Sequence, residues 1–455
     1  MARSSIPTRA GAAIAALALT AAFPAAPAGA EPGDWPAFRG PAARGVAAAG
    51  GLPDRWSSTE NVAWKTDLPG RGWSSPVVVG NRVFITTCES TEAPEEAKKG
   101  LYFGGDRSEP SSAIHRWKVL ALDLDSGSIR WERTLHEGVP TQPIHIKGSH
   151  ASETPVADGG KVWCVFGGIG AFCLDHEGTE LWRTPLPSRR MRAGWGTAAS
   201  PALHDGRLYV VLDNEEQSEI LALDAASGEE AWRVAREGEK SNWSTPYVWV
   251  TPQRTEIVTA GTGQVRSYGT DGALLWSLRG MSAITIATPY EHDGLLVVSS
   301  GYVMDRSKPL WAIRPGAAGD ITPEEGATTG PSIAWCQPSA APYNPSTIAV
   351  DGRVYVLHDR GFLAAYAGAD GRELHPPRRI PEGRAFTASP WAADGKVFCI
   401  NEDGVTFVFR AGDTFEPLHT NTLAEDDMCM ATPALAGDRL LIRTAARIYC
   451  IRAPR

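Results

Sequence analysis

One short pattern recurs eight times along this chain and leaves few folds open to it. Each copy starts at an anchor residue: Pro76, Pro155, Pro201, Pro246, Pro289, Thr347, Pro390 and Pro433. A short apolar strand follows the anchor. Then comes a tight turn, written VGNR, ADGG, HDGR, VDGR, ADGK or AGDR in six copies. An aromatic-rich second strand comes next, such as RVFIT, KVWCV, RLYVV, RVYVL or KVFCI, with its Val or Leu seven places after the anchor. The fourth copy departs through extra residues around Pro252, the sixth by placing Thr347 where the others carry proline. Most neighbouring anchors lie 43 to 46 residues apart, with 79 for the first interval and 58 for the fifth.

The stretch Gly194–Trp232 shows the unit most fully. Pro201–His204, Leu208–Leu212 and Ile220–Leu223 read as strands, and the turn at Ala225–Gly228 leads to a fourth ending near Trp232. One such four-stranded antiparallel sheet has a face with nothing to bury against. A period of ~40–50 residues with four strands per unit instead predicts an all-β, eight-bladed β-propeller, each blade packing on its neighbours. The last copy stops at its third strand, Arg447–Arg452. Asn61–Thr66 is an orphan strand with the look of Leu181–Thr184, and it is predicted to complete that blade and close the ring. The organisation expected is a signal peptide over 1–30, a segment over 31–58 that wraps the outside or base, and the propeller over 59–455, with an insertion at 87–117.

Arg3 and Arg9, the Ala/Leu-rich run Ala10–Phe23 and the small residues Ala28-Gly29-Ala30 have the layout of a secretory signal. No apolar run is long enough to span a bilayer. An exported, periplasmic or extracellular monomer without a transmembrane anchor is expected. Residues 1–30 hold two arginines and no acid, so the formal charge of −8 becomes −10 once they are removed, which argues against nucleic acid as a partner. Seven cysteines leave at least one unpaired. Cys164 and Cys399 stand where other copies have Ile85, Val210 and Val356; Cys173 and Cys450 stand where others have Ala121 and Ala222. They read as core residues, with a cross-strand Cys164–Cys173 disulfide as the alternative.

Two copies carry AxDxx[ST]GxxxW, at Ala121–Trp131 and Ala222–Trp232, and shorter versions end at Trp182 and Trp276. On these residues the chain resembles the exported pyrroloquinoline-quinone-like repeat propellers, a superfamily of quinoprotein dehydrogenases and of a non-enzymatic outer-membrane assembly propeller. The resemblance implies that the tryptophan of one blade docks on the next. For an enzymatic member it implies pyrroloquinoline quinone with calcium, an adjacent cysteine pair and an Asp base; no CC dipeptide and no CxxCH occurs here. Asp123-Leu124-Asp125-Ser126-Gly127 looks like the start of a calcium loop but lacks the later acidic ligands, so it reads as a turn.

In an up-and-down blade the first-to-second and third-to-fourth turns share one face of the disc, and here they read as short throughout. The other face holds the long segments, Thr87–Trp117, Thr134–His150, Pro185–Gly194, Gly301–Lys308, His375–Phe386 and His419–Met430, and binding sites favour such loops. The chain reaches its innermost strands on that face, which places Trp73, His150, Trp195, Trp243, Phe386 and Met430 near the axis. Arg190 and Arg192 precede Trp195, and Arg384 precedes Phe386. Indole faces and guanidinium groups suit a planar or anionic ligand; Trp73 and Trp243 also suit plain packing between blades. The predicted site is therefore Trp73, His150, Arg190, Arg192, Trp195, Trp243, Arg384 and Phe386, with no metal. The function read from it is a ligand-binding or protein-interaction scaffold taking a small molecule, glycan or protein at the long-loop face. The alternatives are a calcium-assisted pyrroloquinoline-quinone dehydrogenase of alcohols or sugars, and a glycan or peptide binder.

Overall fold

Every one of the eight anchors stands immediately before an innermost strand, beginning with Val77–Val79 after Pro76 and ending with Ala434–Ala436 after Pro433. The computed structural model describes residues 33–47, 50–92, 98–101, 109–423 and 427–454. The signal peptide expected over 1–30 lies outside the described residues, as do parts of the 87–117 insertion. Eight sheets form, blades 1 to 8 in chain order, and the chain is an eight-bladed propeller of antiparallel blades. Blade 3 runs Ala202–His204, Arg207–Leu212, Glu219–Asp224, Glu230–Ala235 from the axis outward. Its first turn puts both Asp205 and Gly206 at positive φ, 44° and 70°, the geometry that matches the twist of a two-residue hairpin. The same Asp-Gly pair with both φ positive opens blades 5, 6 and 7.

The orphan strand closes the ring. Val62–Asp67 pairs antiparallel with Arg447–Ile451, with Trp64 opposite Cys450 and Thr66 opposite Ile448, and so becomes the outermost strand of blade 8.

Five seams use one docking contact. The Nε1–H of Trp64, Trp131, Trp182, Trp232 and Trp335 donates to a carbonyl of the following blade, on Leu124, His176, Ala225, Thr270 and Gly368, at 2.8–3.1 Å. Each indole lies on a glycine of that blade's third-to-fourth turn. A Cβ on Gly127 would meet Trp64 at 2.3 Å, and one on Gly228 would meet Trp182 at 2.5 Å. Blades 6 and 7 put His375 and His419 at this register, opposite Ala365 and Val408. In blade 4, Trp276 turns inward and donates to Glu256 of its own sheet at 2.6 Å.

Blade 4 differs because blade 5 differs. The third-to-fourth connections are not short throughout: in blade 5 residues 314–332 separate Leu310–Ile313 from Ile333–Gln337, which accounts for the long fifth interval. This excursion lays Gly319–Asp320 parallel to Trp276–Ser277 as a fifth strand on the edge of blade 4. In blade 1 the ends of the 87–117 insertion continue the hairpin, since Arg82–Ser90 pairs with His115–Asp123 throughout.

Residues 33–47 lie across the short-turn end of the ring. Trp35 pairs with Val78 of blade 1, the Pro36 carbonyl accepts from Ala157 of blade 2, and Val46 pairs with Ala392 of blade 7. Arg39 is fully buried there, lies over the Tyr290 ring, and donates to the carbonyls of Ala43 (3.0 Å), Arg44 (3.2 Å) and Thr347 (2.8 Å).

All seven cysteines are buried and free. Register explains the absence of a Cys164–Cys173 bridge. Cys164 faces Phe172 and Cys173 faces Trp163, so the two thiols lie on opposite faces of blade 2, and each joins a different inter-blade core.

Candidate functional site: an axial funnel on the long-loop face

The residue before each anchor is Ser or Thr in all eight copies: Ser75, Thr154, Ser200, Thr245, Thr288, Ser346, Ser389 and Thr432. The fold brings them to one level around the axis and links them. At six of the eight steps the backbone N–H of one donates to the hydroxyl of the next: a first run goes from Ser75 to Thr154 (2.9 Å), Thr154 to Ser200 (2.9 Å) and Ser200 to Thr245 (3.3 Å). A second run links Thr288 to Ser346 (3.0 Å), Ser346 to Ser389 (2.9 Å) and Ser389 to Thr432 (3.0 Å). The belt is open at the 4/5 and 8/1 seams. Thr288 Oγ1 and Ser75 Oγ, which those two links would have satisfied, are buried without a partner.

Seven of these residues line a funnel of about 730 Å³ with Phe38 of the axial segment also in its wall. Trp73, Trp195 and Trp243 line it from blades 1, 3 and 4, with His145. Trp195 packs 5.8 Å from both Trp243 and His145, giving a continuous aromatic wall. The N–H groups of Trp73 and Trp243 are held by the carbonyls of Lys147 (2.8 Å) and Gly196 (2.7 Å). Across from them stand Lys308, Tyr343, His358 and Arg360. Burial, then the Lys308 charge, push His358 down to about 4, so its imidazole is neutral near pH 7.

The carboxylates at this level are engaged by the protein. Asp359 accepts the backbone amides of Tyr343 and Asn344, both at 2.9 Å, and its pKa is raised by burial. Glu402 takes Lys147 in an ion pair, the Thr387 hydroxyl (2.6 Å) and the Gly100 amide (2.7 Å). Glu153, its pKa also raised by burial, accepts from Thr197 (2.6 Å) and Gly167 (3.1 Å).

Of the residues singled out from sequence, Trp73, Trp195 and Trp243 line the funnel together with Met430. His150 lines a neighbouring cavity of about 250 Å³ with Trp117 and His136. Arg190 and Arg192 are exposed, and Arg192 stacks over Tyr302. Arg384 is exposed and reaches Asp403, while Phe386 is wholly buried against Phe407 between blades 6 and 7. Lys308, His358 and the hydroxyl belt were missed. The belt had a signal, an unbroken Ser/Thr column beside the anchors; Lys308 and His358 had none.

The donor set does not fit the calcium that the resemblance implies beside the quinone of enzymatic members. Calcium takes six to eight oxygens, carboxylates prominent among them, whereas Asp359, Glu153 and Glu402 already face protein donors. Among the described residues no three His, Cys, Asp or Glu side chains gather. Asp123 is equally engaged: hydrogen bonds from Ser126 and the Arg130 ion pair outweigh its partial burial and hold it at about 2.

No helix among the described residues is long and apolar enough to cross a membrane. The family model described as outer membrane protein assembly factor BamB matches residues 217–454, more than half of the chain. No curated protein sequence matches it. Among solved structures, BamB from Moraxella catarrhalis superposes with a TM-score of 0.55 at 13% identity, over 86% of this chain and 99% of that one. A europium-containing methanol dehydrogenase gives 0.60 at 10% identity, over 92% and 98%. Quinohemoprotein alcohol dehydrogenase from Comamonas testosteroni gives 0.60 at 12%, over 93% and 81%. At these identities the likeness is one of fold.

Proposed function

The chain belongs to the family of the outer membrane protein assembly factor BamB, and from that premise we propose that it is an exported, non-catalytic binding scaffold whose ligand or partner segment seats in the axial funnel. The observation that carries the reading is the funnel itself: an aromatic wall at Trp73, Trp195 and Trp243, a waist of hydroxyls, and carboxylates already engaged by the protein. A pocket of that composition recognises and orients; it has no poised base among those carboxylates. Arg190 and Arg192, exposed outside the funnel's lining, leave positive charge available to a negatively charged partner. Export is supported by the layout of residues 1–30.

The test has two arms. Purified protein given pyrroloquinoline quinone and Ca²⁺ retains no quinone absorbance and reduces no dye with alcohols or sugars; turnover would overturn the reading. Trp fluorescence responds to ligands that seat in the funnel, and Trp195→Ala with Trp243→Ala abolishes that response. A response that survives both substitutions places binding elsewhere.

A further inference from the structure

We propose that the waist of the funnel is a receptor for an oxyanion, a carboxylate or phosphate group that arrives along the axis and is met by the hydroxyl belt with the Lys308 ammonium alongside. The inference deepens the binding reading above and rests on it.

The argument starts from what each hydroxyl has left to give. Thr154, Ser200, Thr245, Ser346, Ser389 and Thr432 each use a lone pair on an incoming backbone N–H. A hydroxyl also has one proton to donate, and among the described residues none of these six finds a protein acceptor for it. All six line the funnel, so the protons left over serve its interior. Thr288 adds a seventh, lining the funnel with its Oγ1 unpartnered. Each hydroxyl also keeps a second lone pair, so the collar can turn its protons to an oxyanion, and the charge standing beside it selects the sign of the ligand.

The charges agree. Lys308 lines the funnel and makes no ion pair among the described residues, while Lys147 is matched to Glu402 and Asp359 is turned to the Tyr343 and Asn344 amides. His358 beside Lys308 keeps a buried Nε2 without a partner. The aromatic wall above the belt accommodates an apolar body behind the anionic head.

Three probes with one tail and different heads decide the matter: hexanoate, hexyl phosphate and hexanamide, titrated calorimetrically into the full-length protein. At least one anion binds more tightly than the amide by about tenfold or more, and the preferred anion tells a carboxylate ligand from a phosphate one. Thr288→Val removes a hydroxyl that accepts no belt hydrogen bond, so thermal unfolding is retained while anion affinity falls several-fold and amide affinity stays. Lys308→Met narrows the anion-to-amide ratio towards one. Equal binding of anions and amide overturns the oxyanion receptor and leaves the funnel reading standing. Loss of all three ligands' binding in the native protein overturns both, and an anion preference unchanged in both variants overturns the placement.

Discussion

The indole of Trp335 in blade 5 lies against Gly371 of blade 6, so close that a Cβ there would meet the ring at 2.6 Å. Gly371 also has φ of +72°, where a side chain is strained whatever the space. Gly352 has nearly the same φ, +71°, but nothing within 4 Å of its virtual Cβ. The pair separates backbone strain from seam packing. Gly352→Ala costs about 1 kcal/mol, whereas Gly371→Ala adds overpacking and costs about 2–4 kcal/mol. Equilibrium urea unfolding of the two variants measures the difference, and equal losses would remove the glycine from the docking contact.

Trp64 makes the same contact where the ring closes. Its strand comes from the N-terminal side of the chain, pairs only with Arg447–Ile451, and docks on blade 1 through Trp64 Nε1 to Leu124 and Thr66 Oγ1 to the Gly127 carbonyl. Trp64→Ala removes a large partly buried side chain and costs about 3 kcal/mol. Because no hairpin turn joins this strand to Arg447–Ile451, amide exchange at 62–67 and 447–451 rises together in the variant, ahead of the other blades. Uniform exchange across all eight blades would show that this seam is no weaker than the rest.

What could be read ahead of the fold was whatever repeats. Turn chemistry, strand alternation and the anchor proline are local, and eight copies average out the exceptions. The cysteines yielded to the same comparison, since their counterparts in other blades are plain core residues. The fifth interval announced extra length, but its place was misjudged; Trp335, a docking tryptophan late in that copy, would have put the insertion before it. Nothing local foretold that Arg39 reaches the Thr347 carbonyl across the axis. The arginine pairs stood out as clusters, yet their direction is set by neighbours: Tyr302 beneath Arg192, Asp403 beside Arg384. Lys308 is one lysine in a loop until the ring closes around it.

The thiols give a prediction that bears on export. Burial pushes all seven up, Cys88, Cys173, Cys336 and Cys450 to about 12 and Cys164, Cys399 and Cys429 further still. A thiol that is neither ionised nor accessible neither reacts nor oxidises readily. The native protein therefore shows essentially no reaction with a disulfide reagent such as dithionitrobenzoate, and seven equivalents appear on unfolding without reductant. Five equivalents or fewer would mean that a disulfide forms in the mature protein.

His358 contributes to the acid side of the stability profile through the funnel wall. In the unfolded chain its imidazole takes up a proton near pH 6.5; folded, burial and the Lys308 charge delay this to about 4. Between those values the unfolded state binds the extra proton and the folded state does not. Stability contributed by the neutral imidazole is thus complete above pH 6.5, falls as the pH drops, and is lost below about 4. Over that window the native protein loses up to about 3 kcal/mol relative to a His358→Gln variant, which lacks the group. Urea midpoints at pH 7, 5.5 and 4 for both proteins measure the gap. An oxyanion seated by Lys308 raises the imidazole's affinity for its proton, so adding hexanoate narrows the gap at pH 5.5; if hexanoate leaves it untouched while binding, the anion sits away from this wall.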